Sequence, residues 1–206
     1  MPEPRRDQID LWWTPCAGRA GGRAHAALRE ILAGYRGVDG AEIGPESGLW
    51  RDPRGKLYPT GGDGLAVSLS YAGDWALCAV ARAVEIGVDC EVMAPLDDAA
   101  DVAALCFAPQ ERALLARLPP PEQLALFYRL WTRKEALVKA LGLGLAYPLT
   151  SLSVAQETRG GPVAVEVPGW GRFWVCDLPA PPGHAAACAS REPFTVRLRQ
   201  PWSAAG

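Results

Sequence analysis

The sequence has few of the residues that build several common kinds of site. Only two histidines occur among its 206 residues, His25 and His184, and they lie far apart. This scarcity argues against a histidine-rich zinc site and weakens any serine–histidine triad. The six cysteines form no C-x-x-C pair and most have apolar neighbours. We therefore expect small buried thiols in a reduced cytosol.

Long hydrophobic runs and a strong net charge are also missing. The first ten residues, MPEPRRDQID, carry charges and prolines where a signal peptide would have its apolar core. No apolar run approaches the roughly 20 residues that a membrane helix needs. The formal net charge of −2 gives no reason to expect nucleic acid as a partner. These absences favour a cytoplasmic protein with neither nucleic-acid nor membrane partners.

The sequence has enough apolar residues for a sizeable core, since 49% of it is hydrophobic. Periodicity and turn residues predict most of the secondary structure. The three prolines at 119–121 are expected to break the chain before the strongest helix. The predicted elements are a strand at 11–15, a helix within 19–39, a hairpin within 65–82, a strand at 84–92, helical sequence at 96–118, the strongest helix at 122–142, and β-prone pieces reading LTSLSVA, VAVEV, RFWVCDL and HAAACAS.

The two halves of the chain echo one another faintly. Each runs helix, loop and strands, and the halves reach the similar segments WALCAVA and HAAACAS. This pattern predicts an α+β fold made of two similar lobes. We place the N-terminal lobe at residues 1–93 and the C-terminal lobe at 94–206, together forming one unit.

The segment EIGVDCEV carries two acidic residues in an otherwise apolar strand. Asp89 and Glu91 are two positions apart, so a strand points both toward the same side. Burying two like charges on one face is costly without a partner. Either that face is exposed to water or a cation lies against it, and the apolar neighbours indicate that one face of the strand is buried.

The strongest helix carries a second charged pair, Glu135 and Lys139, which share one helix face. They form either an ordinary surface ion pair or part of a site, and Lys134 faces another way. If Glu135 meets Asp89 and Glu91 in space, three carboxylates make a hard oxygen site that suits Mg²⁺. Lys139 would then reach a phosphate on that metal, which is typical of phosphoryl-group transfer.

Two of these segments together resemble signature motifs of the 4′-phosphopantetheinyl transferases. IGVDCE is similar to (V/I)-G-(I/V)-D-x-E, and LWTRKEALVK, about 40 residues later, is similar to W-(S/T/C)-x-K-E-(A/S)-x-x-K. Upstream, RGKLYP and VSLSYAGDWALCAVA are similar to further segments of that family. The length favours the surfactin-type form, a single chain of two lobes with the active site at their interface.

The resemblance implies a specific reaction. Such enzymes move 4′-phosphopantetheine from coenzyme A to a serine of an acyl or peptidyl carrier protein, leaving adenosine 3′,5′-bisphosphate. By motif, Asp89, Glu91 and Glu135 would hold Mg²⁺, with Mn²⁺ as an alternative, at the pyrophosphate of coenzyme A. Lys139 would bind the pyrophosphate, with Lys134 beside it. Glu135 is the expected base for the carrier serine, and Glu111 is a weaker candidate.

The resemblance also implies contacts to the nucleotide end of coenzyme A. Lys56, Ser70 and Tyr71 would make them, the last two near the 3′-phosphate. The family has serine–histidine–serine where this chain has Ser70, Tyr71 and alanine, so a neutral hydroxyl replaces an imidazole. We expect altered recognition of the 3′-phosphate, with Arg19 or Arg23 on the first helix compensating.

The carrier is expected to dock on a partly apolar patch within residues 105–128, on a monomeric enzyme. Its candidate residues also suit the inner face of a helix; they are Leu114, Leu115, Arg112, Arg117 and Phe127. Two other readings stay open: a non-catalytic coenzyme A-binding relative with the same fold, and a Mg²⁺-dependent pyrophosphate hydrolase.

Overall fold

A computed structural model describes the chain at residues 1–2, 4–16, 20–39, 43, 48–158 and 161–200. Within those ranges the protein mixes helices and sheets, which confirms the α+β class. The strands are β1 Gln8–Pro15, β2 Leu49–Arg51, β3 Leu57–Pro59, β4 Leu65–Ala72, β5 Trp75–Arg82, β6 Ile86–Val92, β7 Val163–Val167, β8 Gly171–Asp177, β9 His184–Ser190 and β10 Thr195–Gln200; the helices are α1 Ala20–Arg36, α2 Ala99–Cys106, α3 Pro109–Leu115 and α4 Pro120–Leu141.

Two four-stranded sheets organise the fold. The first has the order β10-β1-β5-β4, in which only the β1–β10 pair is parallel. The second is antiparallel in the order β6-β9-β8-β7, and β2 and β3 form a separate ribbon. Helix α1 packs on β4 and β5 of the first sheet, and α4 packs on β6, β9 and β8 of the second.

The composition of the two sheets does not follow the predicted lobe boundary after residue 93. Strand β6 precedes that boundary but pairs in the second sheet, and β10 follows it but completes the first sheet. A buried carboxylate explains why β10 joins the first sheet. Asp10 on β1 accepts hydrogen bonds from Arg197 and Arg199 on β10, at 2.6–2.9 Å, and from Tyr35 on α1. The two-lobe division itself stays a prediction.

Most predicted elements are confirmed, and three need correction. The helical sequence at 96–118 divides into α2 and α3 because the chain is extended at Phe107 and at Ala108, the residue before Pro109. The prolines at 120 and 121 begin α4, since the first turn of a helix has no use for their missing N–H groups. LTSLSVA forms a short 3-10 turn at Leu149–Ser151, with no strand assigned to it.

Close contact between α4 and β6 brings the two acidic segments of the sequence together. Gly87 permits it, because a Cβ at this position would lie 2.0 Å from the Ala136 carbonyl oxygen. α4 ends at Gly142, whose φ of +69° suits glycine. All six cysteines are free, and only Cys106 is not fully buried. No helix in the described part of the chain is both long and apolar enough to span a membrane.

Candidate active site

An ion pair between β6 and α4 forms the centre of the candidate site. The Lys139 ammonium lies 2.7 Å from Asp89 Oδ1 and donates a second hydrogen bond, at 2.9 Å, to Ser70 Oγ on β4. Ser70 in turn donates to Asp89 at 2.9 Å. Asp89 is only 3% exposed, whereas Glu91 on the same face of β6 is partly buried. Lys139 is the partner that Asp89 requires.

The charge of Asp89 contributes to the raised pKa of two more carboxyl groups. Glu91 accepts a hydrogen bond from the indole of Trp131, at 3.3 Å, and burial followed by the Asp89 charge raises its pKa. Burial, then the charge of Asp89, raises the pKa of Glu135 to about 7, while Lys139 opposes that rise. The three predicted acidic residues therefore interact across β6 and α4.

Two carboxylate oxygens without hydrogen-bond partners indicate whether a divalent cation fits this site. Asp89 Oδ2 and Glu135 Oε1 are buried without any hydrogen bond. Buried acceptors of this kind are rare and suggest a missing ligand, and carboxylate oxygens are the donors that Mg²⁺ prefers. Within the described residues, no three acidic, histidine or cysteine side chains are already gathered as a metal site. The ammonium of Lys139 instead neutralises Asp89, so the residues fit a cation without being preassembled for one.

A cavity of about 330 Å³ extends from this cluster. Its walls come from α4 on one side and from α1, β2, β3 and β4 on the other. Most of its polar lining residues are basic or aromatic. The full set of polar lining residues is His25, Arg51, Arg54, Lys56, Ser68, Tyr71, Glu135 and Lys139. Such a cavity can hold an anionic ligand with one end at the carboxylates.

Lys56, for which a contact to the nucleotide was predicted, lines the cavity and is hydrogen-bonded to the protein. Its ammonium donates to the carbonyl of Ala140, at 2.5 Å, in the last turn of α4. Burial lowers its pKa, although the charges of Glu85 and Asp52 oppose that effect. Lys56 therefore neutralises the C-terminal end of α4, where cations are favoured.

The predictions for Lys134 and Glu111 require correction. Both side chains are fully buried, and their charged groups lie 2.8 Å apart. Lys134 also donates to the carbonyls of Leu149 and Leu152, and Glu111 accepts from the amides of Ala108 and Val154. Burial lowers the pKa of Lys134, while the Glu111 charge opposes the shift. Neither group can reach a ligand in this structure, so the pair joins α3 and the 149–154 segment to α4.

Of the two predicted arginines, Arg23 is exposed and absent from the cavity wall, and Arg19 lies outside the described residues. Sequence reasoning missed three basic cavity residues: His25, Arg51 and Arg54. Arg54 is the first residue of the RGKLYP segment and Arg51 lies three residues before it, and this proximity was a usable signal. His25 gave no signal, because its position depends on how α1 packs.

Comparison with known proteins bears on the same residues. The family model of the 4′-phosphopantetheinyl transferase superfamily matches residues 85–188, which include the Asp89–Lys139 pair, Glu91 and Glu135.

The chain belongs to that superfamily.

Among curated superfamily proteins, the 4′-phosphopantetheinyl transferase HetI of Nostoc sp. (strain PCC 7120) is 36% identical over 148 residues, covering 69% of this chain and 60% of HetI. Sfp of Bacillus subtilis (strain 168) is 32% identical over 129 residues, covering 62% of this chain and 56% of Sfp. AcpT of Salmonella typhimurium is 37% identical over 99 residues, covering 48% and 51%. The chain thus spans about half to three fifths of the length of these 4′-phosphopantetheinyl transferases.

Proposed function

We propose that this superfamily member transfers 4′-phosphopantetheine from coenzyme A to a serine of an apo acyl or peptidyl carrier protein. The observation that carries the proposal is the coupled cluster of Asp89, Lys139 and Glu135 at the end of a basic cavity. The names of the curated relatives support the reaction class.

Asp89, Glu91 and Glu135 would hold Mg²⁺, or Mn²⁺ in its place, at the pyrophosphate of coenzyme A. When bound, the ion supplies positive charge that stabilises the phosphate oxygens during transfer. The unpartnered oxygens of Asp89 and Glu135 support this assignment. Lys139, with about a third of its side chain exposed, can turn from Asp89 toward a phosphate oxygen and bind it.

Glu135 is the proposed general base. It lines the cavity together with Lys139, where the reacting phosphate is proposed to bind. In the proposed step, the carrier serine oxygen attacks the phosphorus that bears pantetheine, and its proton passes to the Glu135 carboxylate. The anhydride bond breaks, and adenosine 3′,5′-bisphosphate leaves. Ser70 holds Asp89 and Lys139 in place through its two hydrogen bonds.

The carrier would dock on a groove of about 650 Å³ between α2, α3 and α4. Leu96, which lines this groove just before α2, is 39% exposed, and Arg112 also lines the groove. The apolar and basic character suits the acidic and apolar helix surface of a carrier. Leu115 and Phe127, both predicted for this patch, line the groove although each is largely buried in the core.

Mass spectrometry tests the reaction directly. An apo-carrier incubated with this protein, coenzyme A and Mg²⁺ should gain about 340 Da as its serine takes the arm. We expect Lys139→Met and Glu135→Gln to lower the rate by about 10²–10³-fold, because each removes a group acting on the transferred phosphate or proton. Glu122→Gln is the matched control, since Glu122 is exposed on the same helix.

Two outcomes would contradict the proposal. Release of free phosphopantetheine without a mass gain would identify a pyrophosphate hydrolase. Coenzyme A binding without any reaction, against a panel of acyl and peptidyl carriers, would identify a non-catalytic relative.

Docking has its own test. Leu96→Glu should raise the KM for the carrier at least tenfold and leave coenzyme A affinity unchanged, because it places a charge in the apolar groove. Val38→Glu, at an exposed position after α1, is the control. Equal KM values for the two variants would exclude this face.

A further inference from the structure

The wall of the cavity formed by α1 and β2 contains a hydrogen-bonded histidine–arginine pair. His25 Nδ1 lies 2.7 Å from the carbonyl oxygen of Gly21, so this nitrogen carries the proton and donates it. Nε2 is then an acceptor, and Arg51 Nη2 donates to it at 2.8 Å. His25 thereby fixes the orientation of the Arg51 guanidinium at the cavity.

The charge of Arg51 has no carboxylate partner among the described residues. Besides His25, the guanidinium donates to one acceptor among the described residues, the Gly55 carbonyl, at 2.6 Å. An arginine offers five N–H donors in a planar fork, so several remain for a ligand in the cavity. Lys56, by contrast, is already bound to the end of α4. Arg51 therefore has free donors for an anion, and its guanidinium is already oriented by a neighbouring side chain, His25.

Tyr71 lies next to the same turn of α1. Its hydroxyl oxygen would be 3.4 Å from a Cβ built at Gly21, the residue whose carbonyl holds His25. Tyr71 on β4 and His25 on α1 therefore border the same part of the cavity.

We propose that Arg51 binds the 3′-phosphate of coenzyme A, that His25 positions Arg51, and that the pair distinguishes coenzyme A from 3′-dephospho-coenzyme A. This inference rests on the proposed function for its ligand. A phosphate monoester matches the fork of a guanidinium, which can donate two parallel hydrogen bonds to it. Tyr71 can donate a further hydrogen bond from the same wall.

Calorimetric titration with coenzyme A and with its 3′-dephospho form tests the pair without a carrier. The wild-type protein should prefer coenzyme A by about 10–100-fold, the range expected for charge-assisted hydrogen bonds. Arg51→Gln should abolish this preference and leave the Kd for the dephospho form within about twofold. Arg172→Gln is the control, because Arg172 is exposed on β8, away from the cavity lining, and pairs with Glu166.

Two histidine variants test the positioning role. His25→Ala should reduce the preference for coenzyme A, whereas His25→Gln, whose amide oxygen can still accept from Arg51, should retain most of it. Thermal melts of each variant establish that it is folded. The assignment is overturned if Arg51→Gln weakens both ligands equally or neither, or if the two histidine variants behave alike.

The phosphate-site proposal and the proposed transferase function can be refuted separately. A wild-type protein that prefers coenzyme A but modifies no carrier would refute the proposed function and leave the phosphate site intact. A protein that modifies a carrier while Arg51→Gln keeps the preference would refute the phosphate site alone.

Discussion

Replacing Glu135 by glutamine should stabilise the ligand-free protein at high pH and have little effect at low pH. The folded state holds the Glu135 proton up to a pKa of about 7, against an ordinary value of 4.5. At about 1.4 kcal/mol per pH unit, this difference amounts to about 3 kcal/mol. Because the pKa is raised on folding, ionisation costs stability as pH rises from 4.5 to 7, and the full cost applies above pH 7.

Urea denaturation in the presence of a chelator measures this effect. At pH 8, Glu135→Gln should exceed the wild type in free energy of unfolding by up to about 3 kcal/mol. At pH 4 both side chains are neutral and the two proteins should agree. Glu122→Gln should follow the wild type at both pH values, since that residue is exposed on the same helix. A difference between Glu135→Gln and the wild type that does not vary with pH would refute the reasoning.

Three further substitutions test how the site is held. Gly87→Ala should lower the free energy of unfolding by about 3 kcal/mol or more, because its Cβ would meet a backbone oxygen of α4; Gly22→Ala, at an open helical position, should be neutral or stabilising in the same denaturation assay. Lys134→Met should lower the free energy of unfolding by about 3–5 kcal/mol, because it leaves the buried Glu111 carboxylate without its cation. Adding Glu111→Gln should restore part of that loss. Full stability of the single variant would show that the pair is dispensable. Asp10→Asn should speed amide exchange in β10, whose arginines lose a buried charge partner; unchanged exchange would show that strand pairing alone holds β10.

The sequence by itself determined the local structure and the identity of the acidic cluster. Alternation placed Asp89 and Glu91 on one face of a strand, and helical spacing placed Glu135 and Lys139 on one face of a helix. These relations depend only on the geometry of a single element. Their association with one family followed from the order and spacing of the motifs.

Only the tertiary structure decided which charges are free to act. Lys134 and Lys139 are five residues apart on one helix, yet the first is buried against Glu111 and the second reaches Asp89 at the cavity. His25 and Arg51 come from separate elements and meet through the packing of α1. Sequence spacing cannot specify such contacts, because the partner of a charged side chain depends on which elements pack together and on how much water they exclude.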